Sequence, residues 1–88
     1  MNFLCPCCGY LTLGEESGSY EICPVCYWEN DNVQNDDPSY SGGANKISLQ
    51  TARENFMKFG AKEKEYITLV RKLEESERYR SSKLKSLL

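Results

Sequence analysis

The chain has 88 residues, 40% of them hydrophobic, which is enough for one small domain but too few for a large apolar core. Histidine is absent, and that excludes Cys₂His₂ fingers, Ser-His-Asp triads, Cys-His dyads and every His-based metal centre. The formal net charge of −2 hides a split: residues 1–45 carry Glu15, Glu16, Glu21, Glu29, Asp31, Asp36 and Asp37 with no cation, while residues 46–88 hold all 11 lysines and arginines.

Met1-Asn2-Phe3-Leu4 runs directly into the first cysteine pair, without the charged and apolar regions of a secretory leader. No stretch is apolar over the length needed to cross a bilayer, so a reduced cytoplasm and no membrane contact are expected. Two Cys-Pro-x-Cys pairs follow, Cys5-Pro6-Cys7-Cys8 and Cys23-Pro24-Val25-Cys26. Two residues between cysteines let both sulfurs of a pair converge on one ion, and two such knuckles offer four thiolates to a tetrahedral metal. Pro6 and Pro24 fix φ near −65° and order each turn in advance. Gly9, directly after Cys8, can take the positive φ of a tight exit. Tyr27 occupies the matching place after Cys26, where a bulky residue predicts a looser turn or another route.

Cys5, Cys8, Cys23 and Cys26 are the expected ligands, because only Cys5 and Cys8 repeat the spacing of the second pair. Cys7 is left over, as a small packed residue or as an exposed thiol open to oxidation. A tetrahedral S₄ site accepts Zn²⁺ or Fe. The chain holds no second redox centre and no carboxylate–His motif, so structural zinc is the expectation and a rubredoxin-like iron electron carrier is the alternative.

Tyr10-Leu11-Thr12-Leu13 and Ser19-Tyr20-Glu21-Ile22 read as two short strands around the turn cluster Gly14–Ser19. They predict a β-hairpin whose ends each carry a knuckle, in a zinc-ribbon or rubredoxin-like plan. Tyr10, Leu13, Tyr20, Ile22 and Trp28 are the expected apolar shell. Glu29 to Asn45 reads as a solvated acidic loop; its acids lack the order of an EF-hand. A helix is expected from the N-cap Ser48 to the C-cap Gly60, with Leu49, Ala52, Phe56 and Phe59 on one face. A second helix is expected from Lys62 to about Leu73, with Tyr66, Val70 and Leu73 at helical spacing. The whole reads as a small α+β fold: one metal-stapled domain over 1–77, made of a ribbon (1–30), an acidic loop (31–46) and helices (47–77), then a basic tail (78–88).

Cys5-Pro6-Cys7-Cys8-Gly9-Tyr10, Tyr20 to Glu29, Gly42-Gly43-Ala44-Asn45, Ser48-Leu49, Ala52-Arg53, Asn55-Phe56 and Phe59-Gly60-Ala61 together resemble the small bacterial cysteine-rich CPCC-domain family. The resemblance implies a short bacterial protein with a metal knuckle and implies no activity. A closed Cys₄ site without a catalytic set points to a non-enzymatic module that works through a protein partner. Nucleic-acid binding is disfavoured, because phosphate contacts need a cationic face and the ribbon half has none.

Overall fold

The computed structural model describes residues 2–78. Strand β1 (Phe3–Leu4) pairs antiparallel with β2 (Leu11–Leu13), in the register Phe3 to Leu13 and Leu4 to Leu11. This small hairpin closes around the first Cys-Pro-x-Cys loop rather than joining the two loops. The segment 19–22 is not β2's partner, which corrects the sequence expectation. Its amides are spent elsewhere: Ser19 donates to Glu16 O at 3.2 Å, Tyr20 to Asn30 O at 3.1 Å and Glu21 to Ser19 Oγ at 3.2 Å. Tyr20 takes a positive φ of 61° that breaks an extended run, and the Glu21 carboxylate accepts from the Gly14 and Glu15 amides to tie the intervening turn. What remains of the expected return strand is one bridge, Ile22 to Glu29.

The bridge has a counterpart. Leu4 to Leu11 flanks the first loop as Ile22 to Glu29 flanks the second, at the same offset along the chain.

The stretch read as a solvated loop contains a short helix, α1 (Asn32–Asp36), and a buried polar network. Asp31 caps α1 by accepting from the Val33 and Gln34 amides, and its second oxygen accepts from Ala44 N–H at 2.9 Å. Burial raises the Asp31 carboxyl, but the amides of Ala44, Gln34 and Val33 outweigh it, and the net shift is downward. Gly43 is required here by space: a Cβ would lie 2.7 Å from Asp31 Oδ2 and 2.9 Å from the Gln34 side chain.

Helix α2 (Leu49–Phe59) begins and ends as its caps dictate. Ser48 Oγ accepts from Thr51 N–H, and Gly60 stops the helix at φ 85° with its amide on Phe56 O. Leu49 and Ala52 are fully buried and Phe56 packs beside them, whereas Phe59 is left exposed. The second expected helix does not form. Beyond Gly60 the described chain has only two 3₁₀ turns, Lys64–Tyr66 and Glu75–Glu77. No side chain caps the first turn. The amides of Lys62 and Arg71 leave the local ladder to reach carbonyls of the second cysteine loop, Cys26 O at 2.7 Å and Pro24 O at 3.0 Å. Tertiary hydrogen bonds override helix propensity.

All five cysteines, Leu13, Val25, Trp28, Leu49 and Ala52 form the core, with Phe3, Tyr10, Ile47, Phe56 and Leu73 packed against it. Tyr20 and Ile22, expected in the shell, are exposed because their segment runs along the outside. No helix among the described residues is long and apolar enough to cross a membrane. Of the predicted basic tail, residues 79–88 lie outside the described residues.

Candidate metal centre

The two Cys-Pro-x-Cys loops have the same backbone design. In the first, Cys5 N–H donates to Tyr10 O and Gly9 N–H to Cys5 O, both at 2.8 Å. In the second, Cys23 N–H donates to Trp28 O and Tyr27 N–H to Cys23 O, again at 2.8 Å. The exit residues match too, with φ 79° at Gly9 and 73° at Tyr27. Tyr27 therefore takes the tight turn that its bulk argued against. A positive φ costs a non-glycine residue roughly 1–2 kcal/mol, and here the ring stacks on Tyr66, centroids 4.7 Å apart and planes within 16°. Such a pair contributes about 0.5–1.5 kcal/mol beyond its buried area, enough to offset much of that strain.

Facing each other, the loops bring Cys5, Cys8, Cys23 and Cys26 together with every Sγ within 4.8 Å of the others. Cys5 Sγ to Cys26 Sγ is 3.6 Å and Cys8 Sγ to Cys23 Sγ is 3.9 Å. A tetrahedron with metal–sulfur bonds of about 2.3 Å has edges of roughly 3.8 Å, so the donor set fits one thiolate-bound ion. All five cysteines are free thiols and fully buried. Cys7 is not one of the four clustered sulfurs; it packs in the core, as the simpler of its two readings required.

The clustered thiols are driven apart in acidity. Hydrogen bonds from Cys26, Cys5 and Cys8 drive the Cys23 thiol far below its ordinary value, and Thr12 adds to the effect. Burial, followed by the hydrogen bond with Cys23, pushes Cys5 and Cys26 well above theirs. Within the cluster Cys23 is thus favoured as thiolate and Cys5 and Cys26 as thiols, protons that a bound cation would displace. Thr12, buried on β2, sets its hydroxyl 3.0 Å from Cys23 Sγ and 3.9 Å from Cys8 Sγ. Against a thiolate the hydroxyl donates. No spacing rule in the sequence singles out Thr12.

Residues remote in sequence lock the loops. Arg53 Nε on α2 donates to Pro6 O at 2.9 Å, and Arg71 N–H takes the equivalent carbonyl of Pro24. Trp28, fully buried behind the second loop, donates its indole N–H to Asn35 Oδ1 at 2.9 Å. Asn45 is the hub of the polar network. Its Oδ1 accepts from Glu29 N–H and Lys62 Nζ, and its Nδ2 donates to Glu29 O and Gln34 Oε1, so all four of its hydrogen bonds are made. Burial pulls the Lys62 ammonium below its ordinary value, opposed by the carboxylates of Glu63 and Glu29 and the sulfurs of Cys26 and Cys7.

Asn45, Arg53 and Asn55, whose Nδ2 holds Lys62 O at 2.9 Å, lie in the segments that carry the family resemblance. Without the fold, nothing connected them to the cysteines.

Among curated proteins, none matches the chain. The model of the cysteine-rich CPCC family matches residues 3–77, a span that takes in both cysteine loops, the Asn45 network, α2 and the final 3₁₀ turn. The chain belongs to the cysteine-rich CPCC family.

Proposed function

We propose that this protein is a zinc-binding, non-enzymatic module in which Cys5, Cys8, Cys23 and Cys26 hold one structural Zn²⁺ in a closed, zinc-ribbon-like cage. The observation that carries the reading is the convergence of four fully buried sulfurs at tetrahedral spacing. Zn²⁺ bound there would join the two loops and supply folding energy. Four thiolates fill a tetrahedral shell, leaving no position for water or substrate, and the module acts through protein contacts instead. The partner expected on charge is a basic protein surface facing the acidic half of the chain, where Tyr20 and Ile22 are also exposed. That half carries no lysine or arginine to contact phosphate, which disfavours nucleic acid as the partner.

The iron reading draws its support from the equivalence of the two loops and the Thr12 hydroxyl at Cys23, features that would serve a rubredoxin-like electron carrier equally well. One measurement separates the two: metal analysis of protein purified without added metal, read with its visible spectrum. One zinc per chain in a colourless protein supports the structural module. A red protein with reversible bleaching replaces it with the carrier, and metal-free folded protein refutes both.

A further inference from the structure

We infer that Lys62 supplies the buried positive charge that balances a loaded four-thiolate cage, which makes it a positioning residue of the metal centre. The inference rests on the Cys₄ reading above. Lys62 is only 6% exposed, although lysine is almost never fully buried unless paired, and a buried cation without a counter-charge is strongly unfavourable. Among the described residues its Nζ donates to Asn45 Oδ1 at 2.8 Å and lies 5.0 Å from the centre of the Tyr66 ring, and no carboxylate comes within ion-pair distance. An amide oxygen and a ring face orient an ammonium; neither neutralises it.

Glu63 and Glu29 favour the charge from beyond ion-pair distance, and the sulfur of Cys26 adds to them from the second cysteine loop. The Lys62 amide is anchored on the carbonyl of Cys26 at 2.7 Å, and the Tyr66 ring beneath the ammonium stacks on Tyr27, the residue after Cys26. Backbone and aromatic pair together hold Lys62 against that loop, and Asn45 fixes its tip. Four thiolates around a divalent ion carry a formal charge of −2. The half of the chain that provides all four sulfurs contains no cation, and Lys62 is the buried one among the described residues of the other half. Arg53, on the first loop's Pro6 carbonyl, is only partly buried.

The test compares the full chain with Lys62→Met, which keeps the length and removes the charge, and Lys62→Arg, which keeps the charge. Zinc affinity is measured by competition with a chromophoric chelator. The expected result is one metal per chain in all three, with Lys62→Met binding about tenfold or more weakly and Lys62→Arg close to the parent. The second readout is the reduction potential of the iron-substituted protein. The ferrous cage is the more negative, so loss of a neighbouring cation moves the potential of Lys62→Met in the negative direction and leaves that of Lys62→Arg near the parent. Weaker zinc binding with an unchanged potential reduces Lys62 to packing and overturns the inference, as does parental affinity in Lys62→Met. If Lys62→Met does not fold, Lys62→Gln makes the same comparison. Failure of the parent chain to bind metal overturns the Cys₄ reading itself, a distinguishable result.

Discussion

If Cys5, Cys8, Cys23 and Cys26 hold the proposed ion, stripping it with a strong chelator removes the element that would tie the two loops together. Besides the cysteines, the large side chains fully buried in apolar surroundings among the described residues are Leu13, Trp28 and Leu49, each contributing about 1.5–3 kcal/mol. The strands to which the first loop is attached are Phe3–Leu4 and Leu11–Leu13, too short to hold register unaided. Coordination at a structural zinc site supplies roughly 10–16 kcal/mol, as much as the whole margin of an ordinary domain, about 5–15 kcal/mol. Chelation is therefore expected to unfold residues 2–78 cooperatively, read as collapse of amide dispersion in an NMR spectrum and its return when one equivalent of zinc is added. Cys8→Ser should reproduce the chelated spectrum. Cys7→Ala, which removes a buried sulfur outside the cluster, should cost only about 1 kcal/mol and keep one metal per chain. Dispersion that survives complete removal of the metal, or a Cys7 variant as damaged as the Cys8 one, would refute the reasoning.

Thr12→Val deletes the hydroxyl at Cys23 while preserving shape, and is expected to weaken zinc binding about tenfold without unfolding the loaded protein; chelator competition reads this directly. Gly43→Ala forces a methyl against Asp31 and Gln34, and is expected to destabilise by about 1–3 kcal/mol in chemical denaturation, since it parts a buried network. Arg71 holds the Glu77 carboxyl below the usual carboxylate range through a 2.6 Å ion pair, with the Glu74 amide assisting against burial. A depressed carboxylate contributes stability that is fully present above the unfolded-state pKa, about 4.3, and is lost as pH falls through the lower folded value. The stability difference between the parent and Glu77→Gln should thus be flat from pH 7 to about 5, at about 1 kcal/mol given the exposure of Arg71, and shrink in more acid solution. A difference that grows on acidification would contradict the pairing.

The cysteine spacing and the caps of α2 were legible in the sequence because each is a local rule. Cys-Pro-x-Cys closes its own turn, Ser48 serves an amide three residues on, and Gly60 needs no partner to stop a helix. The misread parts obey distant groups. Ser19–Ile22 alternates like a strand, but its amides go to Glu16, Asn30 and the Ser19 hydroxyl. Lys62–Leu73 has helical spacing, yet Cys26 and Pro24 claim two of its amides. Tyr27 looked unsuited to a left-handed exit until Tyr66, far along the chain, provided a ring to stack on. Of the site, the four sulfurs could be named from spacing alone. Thr12, Asn45, Arg53 and Lys62 could not, since they gain meaning only from what the fold sets beside them.

The segment after Gly60 borrows its acceptors from the second loop and has little regular structure of its own. It wraps the second loop, and is expected to loosen when Cys23 and Cys26 separate. If the proposed ion closes the cage, an antibody or peptide selected against residues 61–78 in this shape would serve as a gauge of loading without touching a single sulfur.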